Sequence, residues 1–141
     1  MAQSKKQIIQ TTIGTVIGAV VILLLKQYFF QSPTFDKVMM KAASELNETC
    51  PIMVDSDTRL DNCIALPDNI FQYNYTLVNY TIEDLDIEIL RDNLEPMLLN
   101  TVSSNPDLQM FRENGVTMAY DYKDKNGLHL LKIVIKPEMY K

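Results

Sequence analysis

The sequence has no tryptophan, one histidine, two cysteines and four glycines in 141 residues. One histidine with at most two thiols does not make a dedicated zinc site. The glycines stand at Gly14, Gly18, Gly115 and Gly127, too scattered for a loop that cradles a phosphate. No Gly-x-Ser-x-Gly turn is present to supply a nucleophile for His129. Basic residues are also scarce, 13 against 18 acidic for a net charge of −5. Lys5, Lys6 and Lys26 precede residue 31, which leaves ten basic residues against all 18 acidic ones and a charge of −8 beyond it. Phosphate binding needs concentrated Lys and Arg, so an extended nucleic-acid surface is excluded. The length allows one domain and rules out a large multidomain enzyme.

Charge is absent altogether from Gln7 to Leu25, and Val16 to Leu25 is almost wholly aliphatic. At ~1.5 Å per residue, a helix of that length approaches the ~30 Å hydrocarbon core of a bilayer. Residues 1–31 are therefore expected to be a cytoplasmic start and a single-pass transmembrane helix, and residues 32–141 an acidic extracytoplasmic domain. A cleaved signal peptide would need a small-x-small site after the apolar run, where the chain instead reads Lys26-Gln27-Tyr28-Phe29-Phe30. Lys5 and Lys6 favour a cytoplasmic N-terminus. Gly14 and Gly18 form a G-x-x-x-G pair, a spacing that lets two helix backbones approach and self-associate.

Beyond the anchor, Ser32-Pro33 starts a helix whose apolar face is Phe35, Val38, Met39, Ala42 and Leu46. Leu60 to Leu66 reads as a strand, and Pro67-Asp68-Asn69 as a hairpin turn. Ile70 to Tyr80 alternates cleanly, with Phe71, Tyr73, Tyr75 and Leu77 on one face. Thr81 and Asp84 cap a second helix that Pro96 should bend or break. Asn105-Pro106 opens a short helix ending at Gly115. Val116 to Tyr122 and Leu131 to Ile135 form a second hairpin around Asn126-Gly127. The expected fold is α+β, in the order α-β-β-α-β-β, with a four-stranded antiparallel sheet and helices on one face.

Two stretches carry a resemblance. Pro51 to Asp61 reads Pro-x-x-Val-Asp-x-x-Thr-Arg-Leu-Asp, and Tyr73 to Leu77 reads Tyr-x-Tyr-Thr-Leu. Together with Asn105-Pro106-Asp107 and the closing tyrosine-rich hairpin, they resemble a family of small, uncharacterised bacterial envelope proteins. The resemblance implies a bacterial source, hence the inner membrane with the domain on its periplasmic side. It implies a small α+β domain and adds no catalytic residue.

Candidate chemistry is sparse. Cys50 and Cys63 are expected to form a disulfide if the domain is extracytoplasmic. Asp55, Asp57 and Asp61 suggest calcium, but Arg59 occupies a ligand position and no glycine follows. Asp55, Thr58, Arg59 and Asp61 therefore stand as motif residues of unknown role, with Asp55 in a turn and Arg59 paired to a carboxylate. His129 shares the parity of Leu131, Ile133 and Ile135 and is expected near the sheet core or its edge. Tyr73, Tyr75, Tyr120 and Tyr122 lie on strands of two different hairpins, either packed beneath the helices or forming a platform for a partner. No cofactor or metal is implied. The leading expectation is a non-enzymatic, membrane-tethered interaction module that contacts itself or another envelope protein. The alternatives are a small enzyme using carboxylate and tyrosine side chains, and a domain that binds lipid or a small ligand.

Overall fold

The computed structural model describes residues 35–141. The membrane span expected over residues 7–25 and the Gly14–Gly18 pair lie outside the described residues. Among the described residues, no helix is long and apolar enough to cross a membrane.

Helix α1 (Phe35–Thr49) is followed by strands β1 (Ile52–Met53), β2 (Thr58–Leu66) and β3 (Ile70–Leu77). A 3-10 turn (Ile82–Asp84) leads into helix α2 (Ile87–Ser104), a second 3-10 turn (Pro106–Leu108) and the short helix α3 (Gln109–Glu113). Strands β4 (Thr117–Lys123) and β5 (His129–Ile135) and a terminal turn of helix, α4 (Pro137–Tyr140), complete the chain. One apolar core joins Met39 and Ala43 of α1, Leu98 and Val102 of α2 and Phe111 of α3 to a single face of the sheet.

The sheet corrects the expected architecture. It has five strands in the order β1-β2-β3-β4-β5 and is mixed, not four-stranded and antiparallel. Strand β1 is two residues long, too short to show alternation, and forms where Ile52 and Met53 pair with Leu60 and Arg59. Both expected hairpins form, β2 with β3 and β4 with β5. Strands β3 and β4, however, run parallel, with Ile70 opposite Thr117 and Thr76 opposite Lys123. The helical connection returns the chain to the starting end of β3, and a crossover of that kind delivers a parallel neighbour.

Two bulges reset which side chains face the core. In β2 the register shifts between Leu60 and Asn62, so Asp61 is the extra residue. Leu60 and Cys63 consequently both point inward, although strict alternation assigns them opposite faces. In β5, Tyr122 pairs with Leu131 but Lys123 pairs with His129, which leaves Leu130 as the extra residue. His129 is thereby turned off the core face and is exposed on the edge strand of the sheet, so of the two expected positions it takes the edge and not the core.

The turns follow residue chemistry. Asp68 and Asn69 both take positive φ, 65° and 60°, conformations that Asp and Asn tolerate better than most residues. Helix α2 starts at Ile87, later than Thr81. Thr81 N and Oγ1 both donate to Asp84 Oδ2 at 2.8 Å, which closes a separate turn. Asp86 then caps α2, its Oδ1 accepting from Glu88 N and Ile89 N. The helix continues through Pro96, which lies on its exposed side.

Candidate functional site: a tyrosine floor between two cavities

Parallel pairing of β3 and β4 sets Tyr73 opposite Tyr120 and Tyr75 opposite Tyr122. All four point to the helix side, and their rings lie nearly parallel. Tyr73 and Tyr120 are 5.1 Å apart at an interplanar angle of 10°, and Tyr75 and Tyr122 are 5.1 Å apart at 17°. Tyr75 also stacks on Tyr120 at 6.4 Å, which makes the four a continuous array. Tyr120 and Tyr122 are buried, while Tyr73 and Tyr75 are half-buried. Burial is the main reason that Tyr73, Tyr75 and Tyr120 are held well above the ordinary tyrosine range, with neighbouring phenols and thiols adding to it. Burial and then the Asp55 carboxylate push Tyr122 up to about 12. The array is neutral at physiological pH. Its phenols are donors, unsuited to act as bases there.

Helix α1 packs over β2 and α2 over β5, and a cavity opens beside each helix. The first, ≈ 640 Å³, lies among Val38, Ala42 and Leu46 of α1, Leu108, Met110 and Phe111, and is floored by Phe71 and Tyr73. The second, ≈ 610 Å³, lies among Leu90, Leu94, Met97 and Leu98 of α2, Val54 and Leu85, and is floored by Tyr75, Leu77 and Tyr122. Both volumes fall in the range of ~300–1,000 Å³ usual for binding pockets. Their rims keep apolar groups in water: Met110 is 54% exposed at the first cavity and Met97 54% at the second.

The motif residues divide between the two faces of the sheet. Asp55 and Thr58 line the second cavity. Asp55 Oδ1 accepts from Asp57 N and Thr58 N, both at 2.8 Å, and the Asp57 amide foremost holds this carboxyl below its ordinary value. Arg59 and Asp61 lie on the far face, where Arg59 Nε donates to Asp61 Oδ1 at 2.6 Å and Thr76 Oγ1 donates to Asp61 Oδ2. The bulge at Asp61 is what lets one carboxylate reach both. The same face carries a relay of amides, Gln72 to Asn74 to Asn62, and the His129–Asp121 pair at 3.0 Å. Among the described residues, no three His, Cys, Asp or Glu side chains converge as a metal site would require.

The expected disulfide is not formed: Cys50 and Cys63 are both free thiols. Cys63 is buried in the sheet beneath α1, whereas Cys50 lies at the helix end, partly exposed. Burial, with the Cys50 thiol beside it, pushes Cys63 up to about 12.

Two structural side chains escaped sequence reasoning. Asp124 is fully buried at the β4–β5 turn. Its Oδ1 accepts from Asn126 N and Leu128 N, and its Oδ2 from Ile82 N. Burial raises this carboxyl, but the three backbone donors outweigh it and hold the group below its ordinary value. An Asp two residues before Asn-Gly is the signal that could have marked it. Asn47 bonds both backbone groups of Cys63, and nothing in α1 alone announces that partner.

A family model described as Domain of unknown function (DUF8479) matches residues 34–131. The chain belongs to that family. The match spans α1 through the first residues of β5 and so includes the walls of both cavities and the tyrosine array. No curated protein matches the sequence. Three solved structures share the fold at low identity. A candidate secreted protein from Pseudomonas aeruginosa has a TM-score of 0.65 at 15% identity, covering 76% of this chain and 93% of its own. The type II secretion system pilotin AspS from Vibrio cholerae has a TM-score of 0.57 at 11% identity, covering 74% and 91%. The type 2 secretion system pilotin EpsS from Vibrio vulnificus has a TM-score of 0.60 at 8% identity, covering 76% and 92%.

Proposed function

We propose that this DUF8479 domain is a non-enzymatic protein-interaction module of the bacterial envelope. Residues 7–25 tether it to the inner membrane on the extracytoplasmic side, and it engages another envelope protein through the helix-side cavities. The observation that carries this reading is the pairing of two apolar cavities with a rigid tyrosine floor and exposed methionine rims. Stacked aromatic rings offer large contact area at little cost in side-chain entropy, the property that makes tyrosine common at binding hot spots. The carboxylates with shifted acidities, Asp55, Asp84 and Asp124, are all lowered by hydrogen-bond donors and build turns. A general acid at neutral pH needs the opposite shift. Fold likeness to pilotins of a secretion system and to a candidate secreted protein supports an envelope setting. The uncharged run over 7–25, with Lys5 and Lys6 before it, supports the tether and its direction. Tethering raises effective concentration, so a modest domain affinity suffices.

The test is crosslinking in intact cells followed by affinity capture of the full chain. A reproducible envelope partner is expected with the native sequence. Met97→Asp and Val38→Asp, which place a charge at the rims, should each weaken capture. Ile89→Asp, on α2 away from both cavities, should not. Equal capture by all four chains, or capture of nothing but a second copy, would sink the reading.

A further inference from the structure

We infer that the second cavity recognises a partner segment carrying apolar side chains and one Lys or Arg, whose cation sits on Asp55 beside the Tyr75 and Tyr122 rings. This deepens the interaction-module reading and rests on it. Asp55 is the one charged side chain among the described residues that line this cavity. No Lys, Arg or His of the described residues pairs with it, the ion pairs present being Lys41–Glu45, Arg59–Asp61 and His129–Asp121. The carboxylate is also aimed. Its Oδ1 accepts from the amides of Asp57 and Thr58, which fix the carboxylate at the cavity wall.

An apolar guest would cover this carboxylate and strip its water. A buried charge without a partner is costly, whereas a cation on the guest compensates it. An acidic guest meets Asp55 and a domain of charge −8, so it is disfavoured in approach and in the bound state. The first cavity makes the contrast: Lys41, Glu45 and Asp107 together present both signs, and no single preference follows. The inferred specificity therefore belongs to the end of the tyrosine floor marked by Val54 to Thr58.

The experiment uses the full chain in nanodiscs of zwitterionic lipid as bait for a displayed library of short random peptides. Peptides that also bind the Thr101→Trp chain, in which a neutral side chain fills the cavity, are removed. The peptides that remain should carry Lys or Arg flanked by apolar residues. A synthetic copy of one should bind Asp55→Asn about tenfold more weakly. Replacing its basic residue by Met should cost a similar factor, with no further loss on Asp55→Asn. Asparagine keeps the Oδ1 acceptor, so the turn persists. Should that variant fail to fold, the Lys-to-Met exchange in the peptide decides alone. Cavity-dependent peptides without a basic residue, or with one that is insensitive to these changes, overturn the inference and leave the interaction module standing. Absence of any peptide sensitive to Thr101→Trp overturns both.

Discussion

Asn47 occupies the place of a missing strand beside Cys63. Its Oδ1 accepts from Cys63 N at 2.7 Å and its Nδ2 donates to Cys63 O at 2.8 Å. Strand β1 pairs with β2 only at Arg59 and Leu60, so the outward backbone groups of Cys63 have no strand to bond. One side chain from the last turn of α1 satisfies both and pins the helix to the sheet, which positions one wall of the first cavity.

Asn47→Ala should therefore leave a donor and an acceptor of β2 unmet at a part-buried position. The expected cost is about 2 kcal/mol, or a fall in Tm of roughly 8 °C. Thermal unfolding followed by circular dichroism reads it. An unchanged Tm would mean that water replaces the side chain freely.

The two thiols should react in separate steps. At pH 8, Cys50 should be modified by a thiol reagent in the folded chain, while Cys63, buried and raised to about 12, should react only on unfolding. Intact mass under non-reducing conditions should show both thiols reduced. A mass two hydrogens lighter would restore the disulfide.

Tyrosine ionisation should split the phenols into two classes. Folding raises Tyr73, Tyr75, Tyr120 and Tyr122, so the folded state favours their neutral form. Their contribution to stability is complete below the unfolded value of about 10 and is lost as pH rises through the folded values. Absorbance titration should show the signal of these four phenols missing near pH 10. A later phase should coincide with loss of structure. A single phase near pH 10 in a chain that stays folded would contradict the buried array.

Acid should act in the other direction. Asp55, Asp84 and Asp124 are lowered by folding. Their stabilisation is present above the unfolded value of about 3.9 and is lost as pH falls through the folded values. Denaturation midpoints should be flat from about pH 5 to 8 and drop below about pH 4. Asp124→Asn should lower the midpoint at pH 7, because its amide presents a donor where Ile82 N or the turn amides need an acceptor. It should also flatten the acid limb. A native-like midpoint and acid limb would remove Asp124 from this role.

Local signals in the sequence located most elements. Ile70 to Leu77 alternates because one side is core, and Asn126-Gly127 marks a turn because Gly127 takes a φ of 83°. The features that failed to show are non-local. Whether β4 lies parallel or antiparallel to β3 depends on where a crossover returns the chain, which no residue in either strand records. The bulges at Asp61 and Leu130 each invert a parity with one extra residue, and so Cys63 turned inward and His129 outward against the alternation. The four tyrosines were visible as candidates. Their arrangement as one array needed the β3–β4 register, and the cavities needed the spacing of α1 and α2. The split of the Val54 to Asp61 motif between two faces of the sheet likewise follows from the bulge, not from its spelling.

The central claim is that contact with a partner occurs on the helix side of the sheet. The most direct test places a photoreactive amino acid singly at Tyr75 or Met97, at the second cavity, and at Asn62 or Lys132, on the far face, in the full chain in intact cells. The account predicts a discrete crosslinked species, the same envelope protein, from Tyr75 and Met97 and none from Asn62 or Lys132. Crosslinks confined to the far face, or none from any position, would contradict it.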